Sequence, residues 1–107
     1  MNTNEKNELL LAQLIFMFQT AALQHMGKLK NPMTDAIEQD LQQAQISIDI
    51  LEMMHAKMKG NLSPGEDKMF TGVLSELRLN YVDEVSKAKS TSAQQSQPST
   101  TEPQTKL

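Results

Sequence analysis

The chain has 107 residues and is 38% apolar, with eight Met, three Phe, one Tyr and no Trp, which allows one modest domain with an aliphatic, Met-rich core. It has no Cys, which excludes disulfides, Cys-ligated zinc, iron–sulfur clusters and thiol nucleophiles, and favours a reducing, cytoplasmic setting. The net charge of −3 divides into −5 over residues 1–85 (seven Lys/Arg against twelve Asp/Glu) and +2 over residues 86–107, so the foldable part lacks the basic footprint that nucleic acid requires.

The first predicted helix spans about 7–26 and stops at Gly27, which accepts the left-handed conformation of a helix terminus. At 100° per residue, Gln13, Thr20 and Gln24 fall in one narrow stripe with Met17 beside it. Leu9, Leu10, Leu11, Leu14, Ile15, Phe16, Phe18, Ala21, Ala22 and Leu23 fill most of the remaining circumference. A surface helix needs an apolar arc only a little over ~100° wide, so this helix is expected at the centre of an assembly.

The link from Lys28 to Thr34 contains Asn31-Pro32, which disfavours helix at Asn31. A second helix over about 36–58 follows. Asp35 with Glu38 and Asp40 with Gln43 both have capping-box spacing, and the sequence leaves both starts open. Its end at Lys57-Met58-Lys59-Gly60 sets two cations against the negative end of the dipole and Gly60 just beyond. Ile37, Leu41, Ala44, Ile48, Leu51 and His55 form one stripe, and Ile46, Ile50 and Met53 a second, roughly opposite.

The third helix, about 64–85, has the clearest start: Ser63-Pro64-Gly65-Glu66 places Ser at the N-cap, Pro at N1 and Glu at N3. Phe70, Val73, Leu74, Leu77, Tyr81 and Val85 form its apolar stripe. The helix is expected to fray after Val85. Residues 86–107, rich in Ser, Thr, Gln and Pro, bury too little to offset the entropy of ordering and read as a disordered tail on a 1–85 domain.

Little in the chain carries chemistry. His25 and His55 are the only histidines. Glu52-Met53-Met54-His55 has the Glu-x-x-His spacing of di-metal bundles, but one copy without convergent carboxylates is an ordinary i,i+3 pair. His25 sits in a last turn, where a cation is favoured on dipole grounds alone. No phosphate loop, dinucleotide fingerprint or Ser elbow is present. Asn61-Leu62-Ser63 is a glycosylation triplet followed by Pro64, read here as an exit turn. The expectation is a non-enzyme with no catalytic residue, cofactor or metal.

The stretch Asn31-Pro32-Met33-Thr34, then Asp40-Leu41, Ala44 and Ser47-Ile48-Asp49-Ile50-Leu51-Glu52-Met53, resembles the bacterial family named domain of unknown function 1844. So do Lys57, Lys59-Gly60-Asn61-Leu62-Ser63-Pro64, Glu66, Leu74, Leu77, Leu79 and Tyr81-Val82. With the apolar first helix the resemblance covers about residues 9–85. The family often has Gly after the Asn-Pro-x-Thr run, where this sequence has Asp35. The resemblance implies a small helical bacterial protein and supplies no activity.

The sequence therefore predicts an all-α fold, a helical hairpin plus an apolar N-terminal helix, expected to be oligomeric. The candidate interaction surface is Leu10, Leu14, Ile15, Phe16, Phe18, Ile46, Ile50 and Met53. The expected partners are a second copy and another protein, not nucleic acid. A membrane-peripheral role for helix one is the alternative. The segment Leu9–Leu23 reads as too short and too interrupted by Gln13, Gln19 and Thr20 for a span of ~20 residues. Glu5 and Glu8 around Lys6 spoil the positive leading region of a signal peptide, and a Lys/Arg-rich interfacial face is missing.

Overall fold

The computed structural model describes residues 1–96, the side chains of 91–96 excepted. Three helices, α1 (Thr3–Met26), α2 (Leu41–Lys57) and α3 (Pro64–Ser96), carry the fold, with two-residue strands β1 (Lys30–Asn31) and β2 (Ala36–Ile37) between the first two. The all-α, three-helix reading holds.

Helix α1 begins four residues earlier than expected because Asn2 and Glu5 form a reciprocal capping box: Glu5 N–H donates to Asn2 Oδ1 at 2.8 Å and Asn2 N–H donates to Glu5 Oε1 at 3.1 Å. It ends at Gly27 (φ 88°), where Gly27 N–H donates to the Gln24 carbonyl and Lys28 N–H to that of Leu23, the paired bonds of a Schellman motif.

The chain then makes a short antiparallel ribbon, with Lys30 opposite Ile37 and Asn31 opposite Ala36. Asn31 organises the turn: its Oδ1 accepts from Met33 N–H, and its carbonyl accepts from Thr34 and Asp35 N–H. Asp35 takes the left-handed conformation (φ 56°). Asp takes that conformation better than most residues other than Gly, so Asp35 fits this point of the turn.

This ribbon corrects the expected start of the second helix. Asp40, not Asp35, is the N-cap, its carboxylate accepting from Gln43 N–H at 3.2 Å. Ile37 therefore lies on β2, 56% exposed, instead of opening the helical stripe. The ribbon is anchored to the end of α1 by Asp40 N–H donating to the His25 carbonyl at 2.7 Å and Gln39 Nε2 donating to that of Met26 at 2.9 Å. Both bonds satisfy carbonyls that a helix end leaves unpaired.

Helix α3 starts as its sequence predicts, with Glu66 N–H donating to Ser63 Oγ and Ser63 N–H to Glu66 Oε1. It does not fray after Val85; residues 86–96 continue the helix. Lys87 reaches back to Asp83 at 3.2 Å and Glu84 at 3.3 Å, and no Gly or Pro interrupts the sequence between Gly72 and Pro98. The remainder of the expected tail, 97–107, lies outside the described residues.

The core is one cluster shared by all three helices: Ile15, Ala22 and Met26 from α1, Ala44, Ile48 and Leu51 from α2, and Phe70, Leu74 and Leu77 from α3. Leu11, Phe18, Leu23, Met54, Met58, Leu62, Val73 and Tyr81 pack around it. The radius of gyration is 18.3 Å, against about 13 Å for a compact domain of this length. The 33-residue α3, ~50 Å long, outruns its partners. A slender shape of this kind leaves much apolar surface uncovered.

Candidate functional site

Taking Ile15 as the inward direction of α1, Ala22, Met26, Leu11 and Phe18 fall within about 60° of it at 100° per residue. This corrects two of the expected surface residues. Ile15 is 1% exposed and Phe18 packs against the core, because both share the stripe that meets α2 and α3. The other α1 candidates do face outward: Leu10 is 51% exposed, Leu14 38% and Phe16 64%.

Met17, 64% exposed, belongs with them. Leu10, Leu14, Met17 and Ala21 follow spacings of four, three and four residues, which aligns them in one seam. Met17 and Ala21 are absent from the expected set, although that alternation was legible in the sequence. Around Ala21 the surface dips into a shallow depression of about 290 Å³, bounded by Phe16, Met17, Thr20, Ala21 and Gln24. Between residues 9 and 24 the helix carries no charged side chain.

On α2, Ile46 and Met53 are exposed and Ile50 is half-buried, on the side turned away from Ala44, Ile48 and Leu51. They form a stripe separate from the core face, as their spacing predicts.

The polar residues are engaged in tying helices together. Glu52 bonds Arg78 of α3 through Nε (3.0 Å) and Nη2, while His55 Nε2 meets Asp67 Oδ1 at 2.6 Å and stacks on Phe70 with ring centroids 5.2 Å apart. The Glu-x-x-His pair thus diverges toward two different partners. Among the described residues, no group of three or more His, Asp or Glu side chains is arranged to hold a metal ion. His25 keeps its Nδ1 buried and without a partner.

The densest electrostatic cluster joins the α1 exit to α3. Lys28 Nζ lies 2.7 Å from Glu84 and 3.2 Å from Asp83, and Gln39 Nε2 donates to Glu84 at 3.2 Å. The Lys28 hydrogen bond is the main reason both carboxyls sit below their ordinary pKa, and the Glu84 hydrogen bond the main reason Lys28 sits above its own. Every member already has an intramolecular partner, so the cluster is a brace. A second hollow, of about 460 Å³, lies between Asn4, Asn7 and Glu8 of α1 and Asn61, Ser63 and Glu66. Ser63 and Glu66 there are occupied by capping.

Helix α1 is long and apolar enough to cross a membrane by length and composition, and only 17% of its most apolar stretch is buried. The capping box lengthens the helix to 24 residues, but the added Thr3-Asn4-Glu5-Lys6 is polar and Gln13, Gln19 and Thr20 still interrupt the apolar stretch. The same helix nonetheless supplies Ile15, Ala22 and Met26 to the core.

No curated protein and no solved structure matches this chain. Its residues 8–83, from the first turns of α1 to Asp83 of α3, match one family model, so the match takes in both the apolar helix and the hairpin and the chain belongs to the family described as Domain of unknown function (DUF1844).

Proposed function

We propose that this domain is a non-enzymatic, cytoplasmic protein-interaction module that works by presenting the outer face of α1 to another protein surface. The observation that carries the reading is the seam of Leu10, Leu14 and Met17, left in water although α1 is already packed on two helices. Exposed apolar surface arranged in one continuous strip marks an interaction site. Glu52, His55, Asp67, Arg78, Lys28, Glu84 and the Ser63–Glu66 pair support it from the other direction, because they are engaged in caps and interhelical bonds. The absence of Cys fits a reducing compartment.

The length and apolarity of α1 favour a second reading, contact with a membrane. Glu5 and Glu8 at its start weigh against that, since anionic headgroups repel them and no Lys/Arg band compensates. Photo-crosslinking in cells separates the two. A benzophenone side chain replacing Met17 is expected to give discrete protein adducts, and the same group replacing exposed Gln42 on α2 none. Adducts with lipid alone, or no adduct at all, would overturn the proposal.

A further inference from the structure

We infer that the occupant of the α1 seam is the α1 helix of a second copy, running antiparallel, with Leu14 of each chain seated in the depression around Ala21 of the other. The inference deepens the interaction-module reading and rests on it.

The depression supplies the geometry. Four of its five bounding residues are Met17, Thr20, Ala21 and Gln24, at i, i+3, i+4 and i+7. That diamond is the hole of knobs-into-holes packing, floored by the small Ala21. A knob for it lies on the same face: Leu14, 38% exposed. A two-fold interface requires knob and hole on one self-complementary patch.

The register follows. The diamond is centred between residues 20 and 21, so seating Leu14 over it puts the two-fold axis near Met17. The same axis then sets Met17 over the partner's Leu14–Met17–Phe18–Ala21 diamond and Ala21 over Leu10–Gln13–Leu14–Met17. Every residue of the seam is matched by this one operation. A parallel, in-register pair would instead bring Ala21 against Ala21 and leave the depression unfilled.

Charge and area agree with a second copy. The seam has no charge between residues 9 and 24, so two copies meet without like-charge conflict. Antiparallel packing keeps the Glu5 and Glu8 ends of the two helices apart, whereas parallel packing would crowd four glutamates at one end. Leu10, Leu14 and Met17, at 51, 38 and 64% exposure, offer on the order of 300 Å² of apolar surface, with Ala21 beside them and Phe16 off to one side. A standard interface takes about 800 Å² from each partner, a little over half of it apolar. Gln13, Thr20 and Gln24 supply the polar remainder.

The chain has no cysteine, so engineered thiols report the geometry directly. In the inferred register Leu10 lies opposite Gln24. The full chain carrying Leu10→Cys is mixed with a mass-tagged chain carrying Gln24→Cys and oxidised, while light scattering gives the mass of the unmodified chain in detergent-free buffer. The expected result is a mass of two chains, disulfides between the two variants, and at least ten-fold fewer within either. Ala21→Arg is expected to return the mass to one chain with unchanged helicity. A monomer at all concentrations, any larger assembly, or dominant Leu10→Cys self-pairing would overturn the inference. If benzophenone at position 17 still captured a different protein, the interaction-module reading would survive that failure. Lipid adducts alone would end both.

Discussion

Ile15 and Leu14 are neighbours on α1 with opposite surroundings, and truncating each to Ala separates folding from association. Ile15→Ala removes three carbons from a site 1% exposed in the three-helix core. At ~0.8 kcal/mol per buried methylene the transfer loss is about 2.4 kcal/mol, and a residual cavity carries it to about 3 kcal/mol. A domain of this size has roughly 5–10 kcal/mol to lose, and ~3 kcal/mol lowers its melting temperature by about 15 °C. That loss is expected at every protein concentration, because the contact lies within one chain. Leu14→Ala, at a site 38% exposed, should cost about 1.5 kcal/mol in dilute solution and progressively more as concentration rises, because it also weakens a state populated by mass action. Urea unfolding followed by circular dichroism over a hundred-fold concentration range measures both. An Ile15→Ala loss below ~1 kcal/mol would refute the reasoning, since α1 would then not be packed on the hairpin.

Other outcomes follow from single sites. Lys28→Met is expected to lower stability most at neutral pH. The carboxyls of Asp83 and Glu84 are depressed, so their contribution is full above about pH 4.3 and disappears as pH falls through their folded values, while that of Lys28, which is raised, is full below about pH 10.4 and disappears above its folded value. The melting temperatures of wild type and variant should therefore converge in acid as the two carboxyls are protonated in the folded chain, and a gap that stays constant as pH falls would contradict the assignment. Gly72→Ala should raise stability by about 1 kcal/mol in thermal melts, because Gly72 lies inside α3 and an added methyl meets nothing within 4 Å. Asp35→Val should cost about 1–2 kcal/mol, because a β-branched residue is strained at φ 56°, while Asp35→Gly should be neutral or mildly stabilising; equal stabilities for the two would count against the turn geometry.

The helical framework was legible where local signals act alone. Ser63-Pro64-Gly65-Glu66 announced α3, Gly27 ended α1, and the stripes of Ala44, Ile48 and Leu51 and of Phe70, Leu74 and Leu77 became the core. The start of α2 was ambiguous because Asp35 and Asp40 carry equivalent cap spacings. What decides it is long-range: His25, Met26 and Glu84 supply the partners that hold Gln39 and Asp40 in an extended approach. Window composition around Ser86 likewise missed the continuation of α3, which Lys87 supports by reaching back to Asp83 and Glu84. Most telling is α1, where apolarity on every side identified an element with more than one packing partner but could not rank the sides. Only the position of α2 and α3 assigns Ile15 and Phe18 inward and Leu10, Leu14 and Met17 outward.

The two faces of α1 are not independent. Phe18 packs against the core along one edge of the seam, and Gln13 and Thr20 border the other. A partner helix on Leu14 and Met17 would therefore extend the core without a polar break on one side and meet a hydrogen-bonding rim on the other. That asymmetry gives a facing helix a defined rotational setting, which a uniformly apolar cylinder would not. It also distinguishes protein from lipid as the surrounding medium. In hydrocarbon, Gln13, Thr20 and Gln24 would sit in the middle of the exposed arc with nothing to bond, at a cost of several kcal/mol. Against a second α1, Gln13 lies at the edge of the contact, while Thr20 and Gln24 border the hole that receives Leu14. The polar stripe that first interrupts an otherwise apolar helix is thus the feature that best fits it to another helix.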